Sequence, residues 1–196
     1  MIHFTTHDIL WLLFGYLAGS ISSAIIVCRL ARLPDPRTQG SGNPGATNVL
    51  RVGNKKHAAI TLMGDVLKGF IPVLLARLAG ADLILQISIG MACFLGHLYP
   101  VFFNFRGGKG VATAIGVLLA SSWLVGLCTV ATWLFVAKGL RISSLSALVA
   151  FLLTPVYAWL IEPQQPYYLV MVTVMSVLLF WRHRSNIRNL IAGTET

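Results

Sequence analysis

The chain has 196 residues, of which 56% are hydrophobic and only 11% are charged. Soluble domains carry about 25% charged residues, so this composition excludes a soluble globule and a disordered chain. Fifteen Lys and Arg residues against six Asp and Glu residues give a formal net charge of +9, which fits nucleic acid, a membrane surface or a phosphorylated substrate. Because the sequence is so apolar, the membrane interpretations come first.

Seven apolar runs are candidates for membrane-spanning helices, some of them shorter than the ~20 residues that a bilayer requires. The fourth and fifth runs adjoin at residues 121–123, so one long helix there is the alternative. We predict an all-α integral membrane protein, a single domain over residues 1–196 built as a bundle of about seven transmembrane helices. The runs cover residues 9–28, 58–78, 83–104, 111–122, 123–137, 145–161 and 167–181.

The basic residues predict the orientation, because cytoplasmic loops carry an excess of Lys and Arg. An outside N-terminus and a cytoplasmic C-terminus put 13 of the 15 basic residues in inner loops. A single helix over the fourth and fifth runs would weaken this asymmetry. The first eight residues contain no Lys or Arg, and no A-x-A-like site follows the first run, so we expect a retained span, not a cleaved signal peptide.

Polar residues that apolar helices do not require form four clusters, all on the predicted cytoplasmic side. The longest is the loop 39–51, whose three glycines and one proline allow tight turns and whose successive amides can form an anion-binding nest. A surface connection rich in turn-forming residues is the alternative. Hydrogen-bonding side chains and Arg51 within this short loop favour a binding role.

The second cluster is the segment 106–113, in which glycines surround Lys109 just before an apolar run. Glycines before a helix expose its N-terminal amides to a phosphate, and the helix dipole and a lysine favour the negative charge. The segment is not a Walker A loop, because Gly110 and not Ser or Thr follows Lys109. A basic turn that obeys the positive-inside rule is the alternative.

The third cluster lies inside the second run, where Asp65 and Lys68 are three residues apart on one helical face. They lie ~10 to 15 Å along the helix from its start, so an unpaired charge would cost ~2.5 to 3.5 kcal/mol or more. We therefore expect both side chains to face the bundle interior. They either neutralise each other only or also support a ligand loop.

The fourth cluster is the C-terminal stretch 183–195, for which a basic flank and a frayed tail are the alternative. His97, near the inner end of the third run, is predicted to be a buried core histidine. Ser144 is predicted to cap the sixth run. Cys28, Cys93 and Cys128 lack C-x-x-C spacing and are expected to be packed thiols.

Several catalytic patterns are missing from the sequence. It contains no G-x-S-x-G and no H-E-x-x-H motif, and its six acidic residues are scattered. Nucleophile and metal mechanisms are therefore disfavoured, and we expect neither a metal nor a cofactor. What remains is a set of anion binders, Arg51, Lys109, Arg184 and glycine-rich amides, which fits a phosphorylated, membrane-related substrate.

These stretches resemble the bacterial acyl-phosphate:glycerol-3-phosphate acyltransferases, the PlsY family. Residues 41–48 with Arg51, and residues 107–113 with His97 upstream, look like the first two motifs of that family. The resemblance extends from residue 19 to residue 195. The third motif matches at His183, Asn186, Gly193 and Glu195, and a further family feature matches at Gly64, Asp65, Lys68 and Gly69.

The resemblance implies transfer of a fatty acyl group from acyl phosphate to the sn-1 hydroxyl of glycerol 3-phosphate, giving lysophosphatidate and phosphate. It implies substrate-assisted deprotonation without a covalent enzyme intermediate. It assigns catalytic roles to Ser41, Asn43, Arg51, Lys109, His183 and Asn186. It assigns substrate-binding roles to Gly42, Gly45, Thr47, Asn48, Gly107, Gly108, Gly110, Thr113, Ser144 and Glu195, and supporting roles to Asp65, Lys68 and His97.

The expected location is the bacterial cytoplasmic (inner) membrane, with several spans and an active site on the cytoplasmic side. The expected partners are acyl phosphate, glycerol 3-phosphate and the lipid bilayer, and a monomer is the working expectation. The positive-inside rule accounts for the net charge, so no nucleic-acid partner is expected. A transporter of a small organic phosphate is the alternative function, but it predicts polar residues near the bilayer midplane, whereas most of these gather at the inner surface.

Overall fold

The computed structural model describes residues 5–195, and all of its regular elements in that range are helices. The prediction of an all-α chain is confirmed there; residues 1–4, part of the signal-peptide prediction, lie outside the described range. A 3-10 turn, Val101–Phe103, follows the fifth helix. In chain order the α-helices are α1 (Thr6–Gly19), α2 (Ser23–Leu30), α3 (Ala46–Val52), α4 (Lys55–Leu78), α5 (Leu83–Leu98), α6 (Val111–Ser121), α7 (Trp123–Leu140), α8 (Ser143–Ile161), α9 (Pro166–Arg182) and α10 (Arg184–Ile191).

Four helical segments are long and apolar enough to cross a membrane: α4, α5 extended to Leu83–Phe103, α7 and α8. α1 and α2 reach this length only together, as a pair bent by 44°. α6 and α9 are apolar but shorter. Each of the seven predicted runs therefore contains a helix. The count of seven spans and the sides of the two termini stay predictions.

The fourth and fifth runs form two helices. α6 ends at Ser121, and the backbone of Ser122 is extended, with φ −145° and ψ 99°, before α7 begins. Such dihedral angles cannot continue a helical hydrogen-bond ladder, so the alternative of one long helix is wrong. The chain divides at the same place into two compact units, Met1–Ser121 and Ser122–Thr196. The single domain stays a prediction.

α4 is the central helix of the first unit and packs against α1, α2, α3, α5 and α6. Gly69 on α4 lies against the backbone of Thr113 on α6, so close that a Cβ would overlap it. Gly116 on α6 lies equally close to the carbonyl of Val66 on α4. Small residues at such contacts let helix backbones approach. The start of α6 is thereby fixed against the middle of α4.

The second unit is built by α7 against α8, α8 against α9, and α10 at the end of α9. Two polar contacts join α7 to α8: the hydroxyls of Thr129 and Thr154 are 3.1 Å apart, and those of Thr132 and Tyr157 are 2.7 Å apart. Thr129 and Thr154 are fully buried. These contacts satisfy polar atoms inside a helical pair that is otherwise apolar.

The outer faces of the helices carry large apolar side chains. Phe135 is 82% exposed, Val177 63% and Trp159 60%, although each lies in a helix of apolar sequence. Helices that face lipid place apolar side chains outward, because the hydrocarbon interior of a bilayer contains no water to which outward polar groups could bind. Cys28 and Cys93 are buried, as predicted, whereas Cys128 is half-buried, and all three are free thiols.

Candidate active site

The loop between α2 and α3 is held in shape by the side-chain amide of Asn48, which is 1% exposed. Its Nδ2 donates to the carbonyls of Pro36, at 2.7 Å, and Gln39, at 3.0 Å. Its Oδ1 accepts from the backbone N–H of Ser41 at 3.1 Å. These bonds use both donors and the acceptor of the amide. The predicted substrate-binding residue Asn48 therefore has its side chain committed to the loop backbone.

Three other polar residues of this stretch are exposed. Ser41 is exposed near the tip, beside Gly42, whose φ of +68° lies in the left-handed region. Thr47 and Arg51 are exposed on α3, four residues apart on one helical face. Asn43 is half-buried between them in the chain. One short stretch thus exposes two hydroxyl-bearing residues and an arginine.

Asp35 and Arg37, at the start of this loop, form an ion pair that the sequence did not lead us to expect. The guanidinium of Arg37 donates to the carboxylate of Asp35, with Nη2 and Oδ2 2.7 Å apart, and approaches the carbonyl of Phe103 at 3.5 Å. This hydrogen bond holds the pKa of Asp35 below its usual value, and Asp35 in turn raises the pKa of Arg37. The signal in the sequence was opposite charges two residues apart around Pro36.

The glycine segment 107–110 lies against the end of α5. The backbone N–H of Gly108 donates to the carbonyl of His97 at 3.1 Å, and a Cβ on Gly108 would overlap the His97 ring. Gly110 has φ +94°, and a Cβ there would overlap the ring of Phe94. Both positions require glycine, the first for space and the second also for its backbone conformation.

Lys109 is half-buried two residues before the start of α6. The first amides of a helix lack partners within it, and the helix dipole adds partial positive charge at that end. A glycine segment, a lysine and a helix start together suit an anion such as a phosphate. Thr113, predicted to bind substrate here, is fully buried against α4, so its side chain lies inside the unit.

The predicted pair in the second run is confirmed. Asp65 and Lys68 are 3% and 8% exposed, and Lys68 Nζ lies 2.8 Å from Asp65 Oδ1. His97 is also buried, as predicted, at 7% exposed, with its Nδ1 3.8 Å from the same Asp65 oxygen. The three residues predicted to have supporting roles therefore form one buried cluster, and His97 lies beside the glycine segment.

The remaining predicted residues lie in the second unit. The Oγ of Ser144 donates to Oε1 of Glu195 at 2.7 Å, and Nδ2 of Asn186 donates to the same oxygen. His183, 2% exposed, lies between α9 and α10, with its Nδ1 2.8 Å from the carbonyl of Leu179. Ile142 is the N-cap of α8 and makes no side-chain capping bond, so the predicted capping role of Ser144 is wrong.

The structure thus gathers the first three predicted clusters in the first unit and the fourth, with Ser144, in the second. Between residues 5 and 195, no group of three His, Cys, Asp or Glu side chains is arranged as a metal site. The fold and these residues define a class: an all-helical membrane protein whose polar segments suit an anionic substrate.

Comparison with known proteins identifies the family. The family model described as glycerol-3-phosphate acyltransferase matches residues 9–193. A glycerol-3-phosphate acyltransferase of Thioalkalivibrio sulfidiphilus is 57% identical over 92% of this chain and 89% of its own length. A glycerol-3-phosphate acyltransferase of Hydrogenovibrio crunogenus is 56% identical over 92% of this chain and 87% of its own length. The chain belongs to the glycerol-3-phosphate acyltransferase family.

The fold agrees with a solved structure of the same family. The crystal structure of PlsY (YgiH), an integral membrane glycerol 3-phosphate acyltransferase in its glycerol 3-phosphate form, superposes with a TM-score of 0.92. The two sequences are 39% identical, and the match covers 97% of this chain and 94% of the other. Its lysophosphatidic acid form superposes with a TM-score of 0.89. With its apolar helices, this makes the chain a multi-pass membrane protein.

Proposed function

We propose that the chain transfers a fatty acyl group from acyl phosphate to the sn-1 hydroxyl of glycerol 3-phosphate, giving lysophosphatidate and phosphate. The observation that carries the proposal is the half-buried Lys109 within the glycine segment at the start of α6. That arrangement suits the phosphate of a small substrate, in a chain whose relatives act on glycerol 3-phosphate.

The chemistry needs no nucleophile from the protein. An acyl phosphate is a mixed anhydride, so its acyl carbon is reactive and phosphate is a good leaving group. The sn-1 oxygen attacks that carbon, the acyl carbon to phosphate-oxygen bond breaks, and the hydroxyl proton passes to the phosphate. Positioning two bound substrates and stabilising the developing negative charge then supply much of the acceleration.

Each polar segment has a place in this proposal. Lys109 and Arg51 bind the phosphate of glycerol 3-phosphate by charge. The hydroxyls of residues 41–47, with those amides of this stretch that are not bonded within the loop, hold the phosphate of the acyl donor. Within the second unit, hydrogen bonds to the carboxylate of Glu195 order the tail. The residues assigned roles there are Ser144, His183, Asn186 and Glu195.

The proposal places the reaction on the cytoplasmic side of the bacterial inner membrane. The inner loops of the predicted topology carry the polar segments, and glycerol 3-phosphate is a water-soluble anion that does not cross a bilayer unaided. The apolar outer surface of the helices lets a lipid-like acyl donor approach from the bilayer. A monomer suffices, because every residue assigned above is supplied by one chain.

The test uses detergent-purified protein with palmitoyl phosphate and labelled glycerol 3-phosphate in the presence of EDTA. A parallel reaction replaces the donor with the palmitoyl thioester of coenzyme A. Lysophosphatidate from the acyl phosphate alone is the expected result. Product from the thioester alone would overturn the assignment of acyl phosphate as the donor. Product that forms only when EDTA is left out would overturn the metal-free mechanism. An intact protein without product from either donor would overturn the enzyme and leave transport of an organic phosphate, measured in liposomes.

A further inference from the structure

A buried lysine occupies the break in the first bent helix pair. Lys68 of α4 donates from Nζ to the backbone carbonyl of Ile21 at 2.7 Å. Ile21 lies between α1 and α2, outside both helices, where the chain bends by 44°. A carbonyl at such a break has lost its helical partner, and in apolar surroundings an unsatisfied carbonyl is costly. Lys68 therefore stabilises the bend itself.

Asp65 connects this lysine to a second segment. Its Oδ1 lies 2.8 Å from Lys68 Nζ and 3.8 Å from Nδ1 of His97. His97 in turn holds the glycine segment, because its carbonyl accepts from the N–H of Gly108 at 3.1 Å and its ring lies directly against that residue. A short series of contacts in the first unit thus runs from the bend at Ile21 to the glycines that precede α6.

A pair that only neutralised itself would not need these additional contacts. Two apolar residues of similar volume often replace a buried ion pair without loss of stability. Here each member of the pair also contacts a different segment of the chain, Lys68 the bend and Asp65 the histidine beside Gly108. These contacts fix the position of the glycine segment relative to the bend at Ile21.

We propose that Asp65, Lys68 and His97 are positioning residues that fix the glycine segment 107–110 for binding glycerol 3-phosphate. This inference rests on the proposed function, in which Lys109 of that segment binds the substrate phosphate. The three side chains are buried and act through the segment. Their loss displaces its amides and Lys109, which weakens substrate binding more than it slows the chemical step.

The test compares Asp65→Asn, Lys68→Met and the double variant. Each single change leaves an uncompensated buried charge or a lost partner, so we expect both to lower Tm. The double variant has no buried charge at either position and should regain most of the Tm. Its KM for glycerol 3-phosphate should nevertheless rise at least about tenfold while kcat changes less than about threefold, because a misplaced binding segment persists. A double variant with normal Tm and normal KM would overturn the inference.

The variant His97→Leu tests the positioning role without changing the ion pair. His97→Leu retains Asp65 and Lys68 but removes the ring nitrogens, and the same rise in KM is expected. An unchanged KM in His97→Leu overturns the positioning role even where the ion-pair variants fail to fold. Thr129→Val with Thr154→Val is the matched control, because it removes a buried helix-to-helix contact in the second unit and should leave this KM unchanged.

Binding of glycerol 3-phosphate, measured as the rise in Tm that it causes, separates this inference from the proposed function. A wild-type protein that is stabilised by glycerol 3-phosphate but forms no product overturns the proposed reaction only. In that case a weaker stabilisation of the double variant still supports the positioning role, and equal stabilisation overturns it. A wild type that neither binds nor reacts overturns both.

Discussion

Ser144 and Glu195, 51 residues apart in the sequence, are joined by a hydrogen bond of 2.7 Å from the serine Oγ to Oε1 of the carboxylate. The side chain of Asn186 donates to the same oxygen. The carboxylate of Glu195 thereby holds together the start of α8 and the first turn of α10. Within the second unit, this contact gives the tail a fixed position.

Glu195→Ala should therefore loosen the tail and lower kcat/KM by about tenfold or more. The variant loses two hydrogen bonds to a charged acceptor, each typically worth about 1.5 to 3 kcal/mol. Hydrogen exchange at residues 190–195 measures the loosening, and steady-state kinetics measure the activity. Glu195→Gln keeps an acceptor oxygen and is expected to lie between the wild type and Glu195→Ala. Equal protection from exchange in all three proteins would argue against this role of the carboxylate.

Lys109→Ala should reduce turnover by about a thousandfold or more without changing Tm by more than a few degrees. The lysine is half-buried at the start of α6 and supplies the full positive charge of the glycine segment. Lys138→Ala is the matched control, since that lysine is exposed near the end of α7, and its activity should be normal. Turnover by Lys109→Ala close to the wild-type rate would remove the residue from the site.

The sequence predicted the helices and the polar clusters because both depend on local pattern. Asp65 and Lys68 could be paired in advance, since three residues along a helix bring two side chains to one face. The partner of Lys68 outside its helix, the carbonyl of Ile21, was not predictable, because it depends on how α4 packs on the bend. Ser144 was predicted as a cap, but α8 begins one residue earlier, and a carboxylate 51 positions away binds the hydroxyl.

Asn48 illustrates the same limit within the candidate site. A motif rich in Asn, Ser and Gly indicates a binding loop but not which of its side chains the loop needs for its own shape. The structure shows that Asn48 points inward to three backbone groups, while Ser41, Thr47 and Arg51 are exposed. That distinction arises from the path of the loop through Pro36 and Gln39, which no local pattern specifies.

Asn48→Asp tests whether the hydrogen bonds from Asn48 hold the loop in shape. The substitution keeps the size and the acceptor for the N–H of Ser41, but it turns a donor toward the carbonyls of Pro36 and Gln39 into a second acceptor. We expect activity to fall at least about a hundredfold, as for Asn48→Ala, because a buried carbonyl without a donor costs about 1 to 3 kcal/mol. Asn54→Asp, at the exposed N-cap of α4, is the comparison for charge alone. Near-normal activity of Asn48→Asp would contradict the conclusion that the side-chain amide of Asn48 holds the loop in its active shape.

The polar contact between α7 and α8 should contribute only modestly to stability. Thr129 and Thr154 each lie within hydrogen-bond distance of a carbonyl one turn earlier, Val125 and Ala150, as well as of each other. The two hydroxyls have only two hydrogens for these three oxygen-to-oxygen contacts, so not all three can be full hydrogen bonds at the same time. A double-mutant cycle with Thr129→Val and Thr154→Val should give a coupling of about 0.6 kcal/mol, the usual size for such bonds between membrane helices. A coupling above about 2 kcal/mol would show that this contact is much stronger than its geometry indicates.

The ion pair of Asp35 with Arg37 predicts a stability difference that depends on pH. The hydrogen bond from Arg37 lowers the pKa of Asp35 in the folded state, so the folded protein binds the Asp35 proton less readily than the unfolded chain does. The stabilisation is therefore present above the unfolded pKa of about 4 and is lost as the pH falls through the lower folded value. Both side chains are roughly one-third exposed, which limits the effect to at most about 1 kcal/mol.

Asp35→Asn should consequently lower Tm by about 1 to 4 °C between about pH 6 and 8, and the difference from the wild type should shrink as the pH falls below about 4. Arg37→Met should show the same pH dependence, because it removes the other half of the pair. The double variant should lose little more than either single one. Thermal unfolding in detergent across this pH range measures all four proteins. A difference in Tm that stays constant to the lowest pH would mean that the carboxylate charge of Asp35 does not stabilise the loop.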